Sequence, residues 1–397
     1  MLRGLEVSGV AHLGLSSAVE SAIFGLAILA AATLLVWASE VAEQLISATL
    51  ALAILAIIAV LPEYAVDLYF AWTAPDNPEH AQFALANMTG GNRLLIGFAW
   101  PAVFFVYWLR ERKNDLAVGK QNAMGLVFLG VATVYSFSIP LRGNLSLIDS
   151  AVLIGLFVAY LILSSRAPPR EEQVLVGPAQ TLAALPLRPR WAVIVGIFVF
   201  AAATVFAAAE PFADGLVDSG KNLGIEEFLL VQWVAPLASE SPEFLLAAMI
   251  ALRGRAATGM TLLISSKVNQ WTLLVGSLPI AYSISGTTLS PLHMDARQSE
   301  EVFLTAAQSL FAVAVLTSLS FSFREAALIF VLFSVQLVVP ITEVRLGFGA
   351  AYLLLALVWF AVSERRDIPN LVQAARATAT AQDRVQEKRP VEEPGET

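Results

Sequence analysis

Uncharged apolar runs recur along the chain, for example over 22–38, 48–61 and 191–209. A run of roughly 20 apolar residues crosses the hydrocarbon core of a bilayer as a helix. The runs do not alternate polar with apolar positions, which excludes an outer-membrane barrel. The pattern predicts spans over 17–38, 45–73, 82–109, 122–140 and 147–165. A linker at 166–190, carrying Pro168-Pro169-Arg170-Glu171-Glu172, separates these from a second set over 191–218, 225–252, 257–283, 302–321 and 323–341. An eleventh span, 346–363, has no counterpart in the first half. The tail 364–397 is charged and rich in Ala, Thr and Pro, the composition of a disordered segment. The expected fold is therefore an all-α polytopic membrane protein. It has two five-helix repeats, 17–165 and 191–341, plus the C-terminal helix.

Composition agrees with this reading. Of 397 residues, 57% are hydrophobic and 14% charged, with a mean hydropathy of +0.71; soluble domains carry about 25% charged residues. The absence of cysteine excludes disulfides, thiolate metal sites and thiol catalysis. Residues 1–17 are too polar for a signal peptide. Basic residues set the orientation. The loops of one side hold Arg3, Arg142, Lys221, Arg297 and Arg345. Those of the other hold eleven, from Arg110 to Arg324, and the tail adds six, from Arg365 to Arg389. The amino terminus is thus expected outside and the linker and carboxyl terminus in the cytoplasm, with the plasma (inner) membrane as location. An odd number of spans per half makes the two halves inverted with respect to each other, the plan of secondary transporters whose site lies where broken helices meet at the midplane.

Two Pro-Glu pairs stand at matching places in the halves, Leu61-Pro62-Glu63 and Ser241-Pro242-Glu243. Proline leaves helical carbonyls without partners, and a carboxylate inside a span is a functional-site candidate. In each half the next span opens with small or polar residues, Asn87-Met88-Thr89-Gly90-Gly91-Asn92 and Ile264-Ser265-Ser266-Lys267, and continues apolar to Gly97 or Gly276. Small residues there let this helix approach the Pro-Glu helix. Glu63, Asp67, Glu240, Glu243, Arg93 and Lys267 all fall within spans. Facing lipid they would together cost on the order of 15–20 kcal/mol, so they face protein or water.

These residues resemble the α-repeats of the cation/calcium antiporter superfamily, which includes the sodium/calcium and calcium/proton exchangers. The family pattern is G-T-S-L-P-E on one helix and G-N-x-x-G-S-N opening the next. Leu61-Pro62-Glu63, Asn87 and Gly90-Gly91-Asn92 match it in the first half; Ser239-Glu240-Ser241-Pro242-Glu243 and Ser265-Ser266-Lys267 match it loosely in the second. Ala59 and Val60 replace the hydroxyl residues before L-P-E, Leu262 and Lys267 replace the two asparagines, and Glu240 is an added acid. The resemblance implies two inverted five-helix repeats. It also implies antiport of Ca2+ or a related cation against Na+ or H+, with Glu63 and Glu243 as central ligands.

The other candidates keep two readings each. Asp67, one turn after Glu63, either supports the ligands or lines an aqueous mouth. Asn87 and Asn92 supply neutral oxygens or cap freed backbone groups. Ser239 and Ser266 offer hydroxyl oxygens or bond their own helix. Arg93 is expected as a fixed partner of Asp67 or Glu63. Lys267 pairs with Glu240 or Glu243, either as a switch that exchanges a proton for a cation or as a fixed salt bridge. His12, His80 and His293 lie singly in predicted loops, and Asp76, Glu79 and His80 read as solvated. No phosphate-cradling glycine loop, catalytic triad or His-x-x-x-Glu-His motif appears, so neither ATP-driven transport nor an enzyme is expected. No cofactor is expected beyond the transported cation. The partners are inorganic cations and the lipid bilayer, without nucleic acid, and the pattern is silent on oligomeric state. The competing reading is a non-transporting membrane sensor or assembly protein that reuses the fold with a fixed Glu-Lys salt bridge.

Overall fold

The computed structural model describes residues 16–42, 61–165, 177–338, 342–362 and 367–379, with Leu45 and Leu175 as isolated positions. The first part of the second predicted span, the start of the linker and the end of the tail lie outside the described residues.

Helices stand at every expected span. They are α1 (Ser17–Ala42), α2 (Leu61–Thr73), α3 (Glu79–Glu111), α4 (Lys120–Arg142), α5 (Leu147–Ser164), α6 (Leu187–Leu223), α7 (Glu227–Leu252), α8 (256–285), α9 (Ala296–Leu316), α10 (Phe323–Val338) and α11 (Thr342–Val362). Among the described residues, seven are long and apolar enough to cross a membrane (α1, α3, α4, α5, α6, α9 and α11), and the bent α7 makes an eighth. The remaining three differ for simple reasons. Only 13 residues of α2 are described, α10 has 16, and α8 is long but carries many polar side chains. The molecule is apolar outside and polar within. Leu26, Val134, Ile162, Phe200, Leu245 and Leu354 are exposed, while Glu63, Asp67, Arg93, Glu240, Lys267 and Glu301 are buried. That distribution suits lipid as the surrounding solvent.

Local chemistry sets several helix ends. Asp295 and Gln298 form a capping box at α9, with Gln298 N–H donating to Asp295 Oδ1 at 2.8 Å and Asp295 N–H donating to Gln298 Oε1 at 3.0 Å. Ser146 and Asp149 do the same for α5. Helix α7 bends by 52° at Pro242, because that residue has no N–H to offer the carbonyl four positions earlier. The residues before Leu61, where a matching break is expected, lie outside the described residues.

Four helices make the centre. Within the halves, α2 packs on α3 and α7 on α8; between them, α3 packs on α7 and α2 on α8. The glycines of α3 permit this approach, but to the helix of the other half. A Cβ on Gly90 would overlap the Gln232 carbonyl of α7, and one on Gly91 would overlap the Glu240 carboxylate. Both α3 and α8 contain a π-helical turn, Leu95–Ala99 and Gln270–Leu274. Helices α1 and α6 pack along each other at one edge, against α2 and α7.

Short strands join the connections crosswise. β1 (Asp115–Ala117), after α3, pairs antiparallel with β4 (Ser320–Ser322), after α9, in the register Leu116 to Phe321. β2 (Asn144–Leu145), after α4, pairs antiparallel with β3 (Leu292–His293), after α8.

Two expectations are corrected. The tail is not disordered throughout: Asp367–Ala379 forms α12, which buries Leu371 and Ala375 against α4 and α5. A 3.6-residue apolar spacing supplies that docking face even in a polar segment. The linker is partly helical as well, with a short helix at Pro178–Ala183 and α6 beginning at Leu187.

Candidate functional site

The buried polar side chains of the four central helices meet at one place. Glu63 of α2 is within electrostatic reach of Asp67 on the same helix and of Glu240 and Glu243 of α7, and Glu240 is within reach of Asp67 and Glu243. Each is held by one neutral neighbour or none. Gln270 Nε2 donates to Glu63 Oε1 at 2.8 Å, Asn87 Nδ2 to Asp67 Oδ1 at 2.8 Å, and Ser266 Oγ to Glu243 Oε2 at 2.6 Å. Five buried oxygens, Glu63 Oε2, Asp67 Oδ2, Asn87 Oδ1, Glu240 Oε2 and Gln270 Oε1, have no hydrogen-bond partner among the described residues. A buried acceptor left unmade costs about 1–3 kcal/mol, so five on these four helices concentrate unmet acceptors of the kind that protons or a hard cation satisfy. Among the described residues, no three acidic or histidine side chains stand close enough to hold a metal as they are. Amide and backbone oxygens would have to contribute, or the helices to close.

The second-half helix α8 reaches across to the first half. Besides Gln270, its Asn269 Oδ1 accepts from Tyr64 Oη at 3.3 Å. Lys267 Nζ donates to Asn92 Oδ1 at 2.7 Å and to the Asn92 carbonyl at 3.2 Å, and lies 4.6 Å from the centre of the Trp271 ring.

Several expectations are corrected by this geometry. Lys267 makes no direct ion pair with Glu240 or Glu243 among the described residues: α8 aims its side chain at α3, the Glu243 carboxylate is taken by Ser266, and the Glu240 carboxylate acts on the lysine only at a distance. Arg93 pairs with neither Asp67 nor Glu63. It points away from the site to Glu301 of α9, at 2.6 Å, and stacks 4.9 Å from Trp233. Ser239 bonds backward to the Ala235 and Pro236 carbonyls, at 3.3 and 3.4 Å, and so serves its own helix. Asp67 is fully buried and lines no mouth. Asn92 turns its amide hydrogens to Met88 O at 2.8 Å and offers its oxygen to Lys267. His80 opens α3 instead of lying in a loop; its Nδ1 is 2.6 Å from Thr73 Oγ1 and its ring meets Phe70 edge to face. Glu79 and His80 line a polar cavity of about 290 Å³ with Tyr69, Asp214, Asp218 and Lys221.

The residues that sequence reasoning missed are Gln270, Glu301 and Arg345. Gln270 follows Asn269 within an otherwise apolar stretch, a polar pair that could have drawn attention. Glu301 and Arg345 sit one residue outside the predicted starts of their spans. In the structure both are buried, with Arg345 Nε 3.6 Å from Glu301 Oε1 and its Nη2 3.2 Å from Glu300 Oε2.

The family model for the sodium/calcium exchanger protein matches residues 16–166 and 193–342, most of the chain and both halves of this site. The chain belongs to the sodium/calcium exchanger family. Within the structural relatives of that family, the crystal structure of the H+/Ca2+ exchanger CAX is similar at 42% identity and a TM-score of 0.89, over 93% of each chain. The sodium-calcium exchanger NCX_Mj, soaked with Na+ and Sr2+, is similar at 16% identity and a TM-score of 0.54, over 81% of this chain and 98% of that one. Native YfkE is similar at 16% identity and 0.59, over 85% and 93%. At such identities the last two speak for the fold alone. A comparison with curated proteins returns no match. Family membership makes this an integral membrane protein of a transporter class.

Proposed function

We propose that the protein is a secondary antiporter that moves Ca2+, or a closely related divalent cation, against H+. The observation that carries this is the cluster of five unpartnered buried oxygens between α2, α3, α7 and α8. The likeness to the H+/Ca2+ exchanger CAX supports the choice of ions. Glu63 and Glu243 are the central ligands, Glu240 a third carboxylate beside them, and Asn87 and Gln270 neutral oxygens. Ser266 orients Glu243, and Asn87 and Asp67 orient each other. Ca2+ takes six to eight oxygens, and carboxylates that release the cation take up protons in its place. One site that holds either cargo, but not both, is the requirement for exchange.

The architecture that suits this is two inverted five-helix repeats, with α11 added. The paired π turns and the crosswise strands support it: β1–β4 joins two connections that the charge count assigns to the basic, cytoplasmic side, and β2–β3 joins two assigned outside. In this reading the plasma membrane holds the protein with its amino terminus outside and its carboxyl terminus in the cytoplasm. Access alternates as α1 and α6 shift along α2, where the interface is lined by the small or smooth side chains Ala31, Ala65, Ala201 and Val205.

The test is a flux screen of Na+, K+, Ca2+ and Mg2+ in proteoliposomes under an imposed pH gradient. Ca2+ is expected to accumulate when the interior is acid. No flux of any cation under any gradient would overturn the proposal and return the protein to a non-transporting role. Within the same assay, Gln270→Leu removes the donor that orients Glu63 while keeping bulk. It is expected to raise the KM for Ca2+ on the order of tenfold, the effect of losing one orienting partner of a ligand. An unchanged KM would show that Glu63 is positioned by its helix alone and that Gln270 gives the cation no oxygen.

A further inference from the structure

We propose that Lys267 is a built-in monovalent cation, whose ammonium fills a carbonyl-lined subsite beside the acidic centre and so excludes Na+ from it. The observation is the company that Nζ keeps. It has two neutral oxygens of one residue, Asn92 Oδ1 at 2.7 Å and Asn92 O at 3.2 Å, and the face of Trp271 at 4.6 Å. Carbonyl oxygens and an aromatic face are the surroundings that recognise a desolvated monovalent cation. An ordinary buried lysine is paired with a carboxylate. Here the Glu240 carboxylate interacts with Lys267 only at a distance, the direct contacts of Nζ are the two Asn92 oxygens, and Ser266, the residue before it, is the one that reaches Glu243.

The placement has a structural cause. The π turn begins at Gln270, just after Lys267, and α8 packs on α7 and α2 with its polar edge toward α3. The lysine stem therefore crosses from the second half to the first, and the side chain is fully buried. Asn92 is oriented to receive it, because its amide hydrogens are already committed to Met88 O. A mobile Na+ seeking the same oxygens would meet a tethered head group that cannot leave. The acidic centre then balances one divalent cation or protons with no monovalent ion beside it. This inference rests on the antiport reading for its effect on transport, but not for the binding property itself.

Two measurements on the purified full-length protein test it: equilibrium binding of radiolabelled Na+, and Ca2+ flux in proteoliposomes driven by a pH gradient, with and without added Na+. Wild-type protein and Lys267→Arg are expected to bind no Na+, and wild-type Ca2+ flux is expected to be indifferent to Na+. Lys267→Asn is expected to bind Na+ and to lose Ca2+ flux by about tenfold when Na+ is added, the equivalent of one competing charge-assisted contact. A folded Lys267→Asn that binds no Na+ overturns the proposal. So does Na+ binding to the wild type that Ca2+ displaces, a result that needs no variant and holds even if Lys267→Asn does not fold. Absence of Ca2+ flux in the wild type, together with Na+ bound by Lys267→Asn alone, would sink the antiport reading and uphold the subsite.

Discussion

Glu63→Gln and Glu243→Gln are each expected to reduce Ca2+ exchange in proteoliposomes by on the order of 100-fold or more, with little change in the amount of folded protein. The amide matches the carboxylate in size, so packing around α2 and α7 is kept. What changes is charge and hydrogen-bonding sense. Glutamine presents one oxygen and two donors where the cation needs oxygen, and it cannot take up the proton that would travel back. Removing an outer-shell partner of a ligand already costs 10–100-fold, so removing the ligand itself costs more. In Glu63, one oxygen is held by Gln270 and the other is unpartnered; in Glu243, one is held by Ser266. In the proposed antiport each would give the cation its other oxygen, and neither would substitute for the other. Asp67→Asn is the informative contrast. Its target is the residue that positions Asn87, so its loss of flux should be smaller than that of either glutamate. Full exchange by either glutamine variant would remove the central assignment.

Glu301→Leu is expected to be the most destabilising single change away from the site, by about 3–5 kcal/mol, because it leaves a buried charge without its partner. The Arg93 and Glu301 side chains are 2% and 3% exposed and their charged atoms are 2.6 Å apart. The pair ties α3, one residue past Asn92, to α9; Gln308 of α9 also donates to the Arg93 carbonyl, at 3.4 Å. Arg345 of α11 braces the same carboxylate, at 3.6 Å, and Glu300 beside it. The network adds a polar tie to the aromatic packing of α11 on α9, where Phe311 meets Tyr352 and Trp359, and links both to α3. Thermal unfolding in detergent should show a clear fall for Glu301→Leu and recovery of most of it in Arg93→Met with Glu301→Leu, where no charge is left unpaired. If the single variant melts with the wild type, water or lipid headgroups reach Arg93 and the pair is not buried in practice.

Legibility differed between the fold and the site. Among the described residues, α1 to α11 were placed from apolar runs, because in lipid the backbone must satisfy itself and a long apolar run has no other option than helix; α12 and the linker helix, in polar segments, were not. The ends were off by a few residues, and that small error moved Glu301 and Arg345 from the interior to imagined loops. For the site, Glu63, Glu243, Asp67, Asn87 and Ser266 were all identified and the structure brings them together, since a charge in a span announces itself by its cost. Their partners were not legible. The glycines of α3 were read as serving their own half, yet they admit α7 of the other.

By itself, the sequence determined the membrane class, the positions of the helices, the duplication and the carboxylates that must be hidden from lipid. These follow from hydropathy and spacing, which are local properties of the chain. Only the tertiary structure decided which acid meets which amide, that Lys267 crosses to Asn92 instead of a glutamate, and that Arg93 turns outward to Glu301. Such pairings depend on the rotation of each helix about its axis and on the neighbour it packs against. A turn of about 100° per residue sends adjacent residues to different partners, as Ser266 and Lys267 show.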